Sequence, residues 1–104
     1  MTGFISVFIT TGSSEEAEKI AHVIVEEGYA ACANILLGVQ SFFRWQDNIE
    51  QANECVIIAK TKAEKFGELQ KRVKELHSYD CPCIVAWPIV AGSEEYLNWI
   101  KNET

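Results

Sequence analysis

Positive charge is scarce in this sequence. Nine lysines and arginines stand against fifteen aspartates and glutamates, a formal net charge of -6 over 104 residues. Such a field repels a nucleic-acid duplex and an anionic bilayer alike, so neither nucleic acid nor a membrane is an expected partner. Acidity of this size keeps a small protein soluble and does not by itself select a metal. The first lysine is Lys19, so the basic opening of a secretory leader is missing and a cytoplasmic protein is expected. Long apolar runs are missing too. The longest, Cys83 to Ala91, is too short to span a bilayer and contains Pro88. There is no P-loop, no dinucleotide fingerprint, no Gly-x-Ser-x-Gly and no His-Glu-x-x-His. Accordingly, no catalytic residue and no organic cofactor is named, and an enzyme is not expected. The four cysteines, Cys32, Cys55, Cys81 and Cys83, read as thiols and not as a disulfide framework.

What remains has the composition of one globular domain, expected over residues 1–104, with 48% hydrophobic and 23% charged residues. A chain of this length buries roughly 65% of the surface its unfolded form exposes, enough for one modest core. Phe4 to Thr10 is a β-branched and aromatic run, read as a strand buried on both faces. Ser13 and Glu16 form a capping box ahead of a helix over about 14–27, whose stripe is Ala17, Ile20, Ala21 and Ile24 and whose stop is Gly28. Ala30 to Leu37 is extended, interrupted by Gly38 and continued by Val39 to Gln46. Asp47-Asn48 supplies a hairpin turn into a strand from Ile49 to Lys60. Thr61 and Glu64 suggest a second capping box, with a helix over about 62–77. A last strand, Cys83 to Val90, belongs at a sheet edge because Pro88 cannot donate to a ladder. Ser93 caps a short helix from Glu94 to Lys101.

The order is β-α-β-β-α-β plus a C-terminal short helix, an α+β pattern that predicts a ferredoxin-like antiparallel sheet with strands one and three in the middle. Such a core does not need Phe42, Phe43, Trp45, Tyr79, Trp87, Tyr96 and Trp99 in addition to Phe4, Phe8 and Phe66. Phe42 and Phe43 are neighbours on a strand and face opposite sides, so one of them requires cover from outside the helix layer. A long aromatic hairpin left bare would aggregate. An oligomer solves this.

Two short segments carry candidate chemistry. His77 falls at the end of the second helix, where an imidazole suits the helix dipole, or serves as a ligand beside Cys81 and Cys83. In Cys81-Pro82-Cys83 an extended backbone points both thiols the same way. Thiolate and imidazole favour zinc or copper(I). His77, Cys81 and Cys83 are therefore the candidate metal ligands, one short of the usual four. The Cys81–His77 pair lacks a visible residue to orient the imidazole for nucleophilic chemistry. His22 lies opposite the Ile20–Ile24 stripe and is expected to be exposed, while Cys32 and Cys55 are expected to pack as small hydrophobes.

Several segments in order resemble the CutA divalent-ion tolerance proteins. They are Ala31-Cys32-Ala33-Asn34-Ile35, Ser41-Phe42-Phe43-Arg44-Trp45, Glu54 with Lys60-Thr61, His77-Ser78-Tyr79-Asp80-Cys81-Pro82, and Gly92, Tyr96, Leu97, Trp99 and Ile100. The resemblance implies a compact homotrimer with hairpins pairing across subunits, an inter-subunit crevice bearing Trp45, Glu54, Lys60 and Tyr79, and a link to copper or another divalent metal ion; Glu54 and Lys60 of the third strand read equally as an interface ion pair. Asp47 replaces the usual turn Gly, Ser78 the Pro after His, and Cys83 the usual Glu. Where some members carry a Cys and a His-His pair linked to copper, this chain has Ile9 and Leu76-His77. Besides a metal-responsive trimer, a small-molecule-sensing or signalling trimer and a ligand-free, partner-docking trimer fit the same pattern.

Overall fold

The computed structural model describes residues 2–104; residue 1 of the expected domain lies outside the described residues. The elements are β1 (Phe4–Thr11), α1 (Ser14–Glu26), β2 (Cys32–Trp45), β3 (Asn48–Lys62), a single 3-10 turn (Ala63–Lys65), α2 (Phe66–Leu76), β4 (Ile84–Pro88) and α3 (Glu94–Glu103). The sheet runs β2-β3-β1-β4 with every neighbouring pair antiparallel. The two central strands are therefore β1 and β3, and Pro88 sits on edge strand β4, as its missing N–H requires.

Alternation along the strands decides what is buried. Val7, Ile9 and Thr11 of β1 and Cys55, Ile57, Ala59 and Thr61 of β3 point to the helix side. There they meet Ala17, Ile20, Ala21 and Ile24 of α1 and Leu69 and Val73 of α2. Each fully buried aliphatic side chain contributes about 1.5–3 kcal/mol of transfer free energy. The expectation that β1 is buried on both faces is corrected. Phe8 on its other face is only half-buried, packed edge-on to Trp87 at 5.3 Å between ring centroids. That second face carries α3, whose Tyr96 Oη lies 3.2 Å from Cys32 Sγ and whose Ile100 is fully buried. The helix covers only part of the face, and Leu36, Val85 and Trp87 stay exposed.

Local chemistry accounts for the boundaries. Ser13 Oγ accepts the Glu16 N–H, half of the expected box. The Glu16 carboxylate reaches Gly12 N–H and not the Ser13 N–H that would close it. The second expected box does not form. Thr61 stays in β3 with its hydroxyl donating to the Tyr29 carbonyl at 2.7 Å, so α2 starts later, at Phe66, after an uncapped 3-10 turn. The hairpin turn is Gln46-Asp47, one residue earlier than expected, with φ of 49° and 66°. Trp45 pairs with Asn48 across it. Two consecutive positive φ values are what a two-residue turn between right-twisted strands demands.

β2 and β3 run 14 and 15 residues, far past the reach of α1. The Cα radius of gyration is 14.1 Å and the longest extent 44 Å, where a compact chain of this length has a radius near 13 Å. The excess is the hairpin. A bulge interrupts β2 between Leu36 and Val39, where two residues oppose the single residue Cys55. Gly38 stands in it at φ 69°. The extra residue reverses which set of β2 side chains faces which side beyond that point.

Candidate functional site

Beyond the bulge, Ser41, Phe43 and Trp45 share a face with Glu50 and Glu54 of β3, because they sit at or beside cross-strand partners on the same side of the pleat. Phe42 is turned to the other side and is 67% exposed. The segment between α2 and β4 brings Tyr79, Asp80, Cys81 and Cys83 to the same region, which Thr10 of β1 floors. Together these groups line a cleft of about 700 Å³, within the size range of small-molecule sites.

Four hydrogen bonds fix that segment. His77, 9% exposed, places Nε2 at 2.7 Å from the Thr10 carbonyl oxygen and Nδ1 at 3.1 Å from the Tyr79 N–H. A carbonyl only accepts and an N–H only donates. The imidazole is therefore the neutral tautomer with its proton on Nε2, and both nitrogens are in use. The Glu16 carboxylate accepts the Gly12 N–H through Oε1 at 3.2 Å and the Ser78 N–H through Oε2 at 2.8 Å. Tyr79 Oη donates to Glu54 Oε2 at 2.8 Å. Tyr79 also closes over Gly12, where a Cβ would meet its hydroxyl at 3.2 Å.

Electrostatics follow from this packing. Burial, with the Glu54 hydrogen bond and charge behind it, pushes the Tyr79 phenol up to about 12. The Cys83 thiol is raised by burial and by the Glu54 charge, against a hydrogen bond with Thr10 that pulls it down. Burial would raise Glu16, but the bonds from Ser78 and Gly12 outweigh it and hold the carboxyl below its ordinary 4.5. On the second face, the bond to Cys32 and then burial raise Tyr96 to about 12.

The expected ligand set does not assemble. Cys81 and Cys83 both line the cleft as free thiols, but His77 has no lone pair left for a metal. No group of three His, Cys, Asp or Glu positioned for a metal ion occurs among the described residues. His77, Cys81 and Cys83 are thus corrected as a three-ligand site: the imidazole is a structural clasp and the thiols stand apart from it. Of the crevice residues, Trp45, Glu54 and Tyr79 meet at the cleft. Lys60 does not; it lies six residues up β3 from Glu54, about 20 Å away, and donates to Asn34 Oδ1 at 2.8 Å. His22 is exposed and contacts Glu26 at 3.1 Å. Cys55 packs in the core, whereas Cys32 reaches the Tyr96 hydroxyl. Sequence reasoning missed Thr10, Glu16, Phe43 and Glu50. The Gly38 interruption was a visible signal for Phe43 and Glu50, since one inserted residue brings the odd positions of β2 onto the face of Glu54.

Among the described residues, no helix is long and apolar enough to cross a membrane. The model of the CutA1 divalent ion tolerance protein family matches residues 5–103. The divalent-cation tolerance protein CutA of Archaeoglobus fulgidus is 49% identical over 96 residues, 92% of this chain and 93% of that one. A solved structure of the periplasmic divalent cation tolerance protein CutA from the same organism superposes with a TM-score of 0.94 at 46% identity, covering 96% of this chain and 97% of that one. The chloroplastic protein CutA of Arabidopsis thaliana is 38% identical over 96% of this chain and 55% of its own length. A periplasmic and a chloroplastic relative overturn the expectation of a cytoplasmic protein, which rested on the missing basic leader alone.

Proposed function

The chain belongs to the CutA1 divalent ion tolerance family, and on that premise we propose that it works as a homotrimer of ferredoxin-like subunits, each one domain over 1–104, with a non-catalytic role in tolerance of divalent cations. The observation that carries this reading is the uncovered hairpin. Trp45 is 53% exposed, Ile49 71% and Phe42 67%, on strands that outrun the helix layer. A single chain that left this ribbon and the Leu36, Val85 and Trp87 patch in water would self-associate without limit. Closed symmetry ends that association, and three copies let each hairpin lie against a neighbour. The Glu54 cleft then falls at a boundary between subunits.

Copper or another divalent metal ion is the cargo of this reading, and Cys81 and Cys83 are its contacts. Two soft donors without an imidazole suit copper(I) or zinc held weakly. The raised Cys83 thiol requires the metal to displace a proton. Equilibrium sedimentation at micromolar concentration tests the assembly: about three times the 11.7 kDa chain mass is expected, and a stable monomer rejects it.

A further inference from the structure

The hairpin beyond Gly38 is a two-sided ribbon, and its sides differ in charge. One side, with Phe43, Trp45 and Glu50, opens into the cleft that Glu54, Tyr79 and Asp80 complete. Three carboxylates line that cleft, and none of the chain's own lysines or arginines does. Glu54 lies deepest, 8% exposed, with Oε2 accepting the Tyr79 hydroxyl. The other side carries Phe42, Arg44 and Ile49, because Arg44 pairs with Ile49 across the ribbon and stands two residues from Phe42. Arg44 is exposed and makes no ion pair among the described residues.

The two sides complement each other. A carboxylate set among aromatic rings suits a guanidinium better than an ammonium, since the planar fork donates to the carboxylate while its flat face stacks on a ring. The chain has two arginines, and Arg72 is already held by Glu27 on the helix layer. Arg44 cannot serve its own cleft, being on the opposite side of the same ribbon. A second copy can bring it there. Opposite sides of one ribbon meet head to tail, and head-to-tail contacts repeated by rotation close into rings. A copy that covers the cleft also removes water from Glu54, which favours a cover that carries a cation of its own.

We infer that the cleft is completed by a second copy of this chain, whose Arg44 guanidinium enters it, pairs with Glu54 and lies against its aromatic wall. The inference rests on the homotrimer proposed above and gives its interface a direction: the cleft side of one hairpin against the Arg44 side of the next. Cys81 and Cys83 take no part in it.

A double-mutant cycle on subunit dissociation of the full-length protein tests the pair. Arg44→Gln and Glu54→Gln should each weaken the contact about tenfold or more, and the two together should cost no more than either alone. Lys60→Gln combined with Glu54→Gln should instead be additive. Additive losses for Arg44 and Glu54, or coupling of Glu54 to Lys60, overturn the inference. Where Glu54→Gln fails to fold, the wild type decides. Copies labelled with nitrogen-15 and with carbon-13 are unfolded together, refolded and checked by sedimentation. Filtered nuclear Overhauser spectra should connect the Arg44 guanidinium of one copy to the Trp45 or Tyr79 ring of another. Connections from Lys60 in its place, or none in an intact trimer, overturn the inference and leave the trimer standing. A stable monomer overturns both.

Discussion

The His77 imidazole donates through Nε2 to the carbonyl oxygen of Thr10 at 2.7 Å, tying the end of α2 to the last turn of β1 across 67 residues of chain. Its Nδ1 accepts the Tyr79 N–H, so one ring sets the course of the segment that delivers Tyr79, Asp80, Cys81 and Cys83 to the cleft. A side chain used in this way is a positioning residue. His77→Ala should lower stability by about 1–3 kcal/mol, because a nearly buried carbonyl and an N–H lose their partner. Copper(I) uptake per chain should be unchanged. Urea unfolding and a copper(I) titration read the two effects separately. Unchanged stability with lost uptake would make His77 a ligand after all.

Trp45→Ala should damage assembly more than the fold of the subunit. Within one chain Trp45 is half in water beside the turn at Gln46-Asp47, remote from the core of Val7, Ile57 and Leu69. In the proposed trimer its burial comes from a neighbouring copy, where truncating a large aromatic costs about 3–5 kcal/mol. Sedimentation should show a shift from trimer toward monomer, while far-ultraviolet circular dichroism at the same concentration stays that of the wild type. A full trimer with an unaltered melting temperature would identify Trp45 as an exposed bystander.

Sequence reasoning reached the sheet order because the signals there are strong and local. β1 and β3 hold the densest β-branched runs, and Pro88 can sit only on an edge. It misplaced the start of α2 because Thr61, a good capping residue on paper, is claimed by the Tyr29 carbonyl 32 residues away. It misplaced the hairpin by one residue because Gln46 is an unusual occupant of a positive φ; the register of the whole ribbon, pinned by Trp45 against Asn48, overrides that preference. The site was half legible. Trp45, Glu54 and Tyr79 were named, yet the face they share depends on the extra residue at Gly38, and His77 could be told from a ligand only once both ring nitrogens had visible partners.

Acid should loosen the cleft before it unfolds the core. Glu16 joins the β1–α1 turn to the α2–β4 segment through Gly12 and Ser78. Its pKa is held below 4.5 in the folded protein, hydrogen bonds overcoming the effect of burial. A depressed carboxyl favours the fold above its unfolded pKa, and that contribution disappears as pH falls through the folded value. The wild type should therefore lose stability below about pH 4.5, whereas Glu16→Gln should already lack this contribution at neutral pH and show a flatter acid limb. Thermal melts of both proteins from pH 7 to pH 3 provide the comparison. Parallel curves would mean that Glu16 anchors nothing.

Soft-metal binding should depend on Cys81 and Cys83 together and on neither the acidic surface nor His77. Pro82 between them disfavours helical backbone at Cys81, and in an extended stretch residues two apart project to one side; both thiols indeed line the cleft. Two thiol donors select copper(I) or zinc over magnesium and calcium. Because burial and the Glu54 charge hold the Cys83 proton, uptake should weaken as pH falls and release protons as it proceeds. Diffuse attraction to surface carboxylates behaves otherwise: it favours magnesium and calcium and fades with added salt. Copper(I) and zinc are titrated under reducing conditions into the wild type and into the Cys81→Ser, Cys83→Ser protein. The expected result is a wild-type affinity that survives moderate salt and is lost in the double variant. Equal stoichiometry and affinity in the two proteins would reject the thiol pair as the metal contact. Any role of this chain in divalent-cation tolerance would then run through groups other than the two thiols.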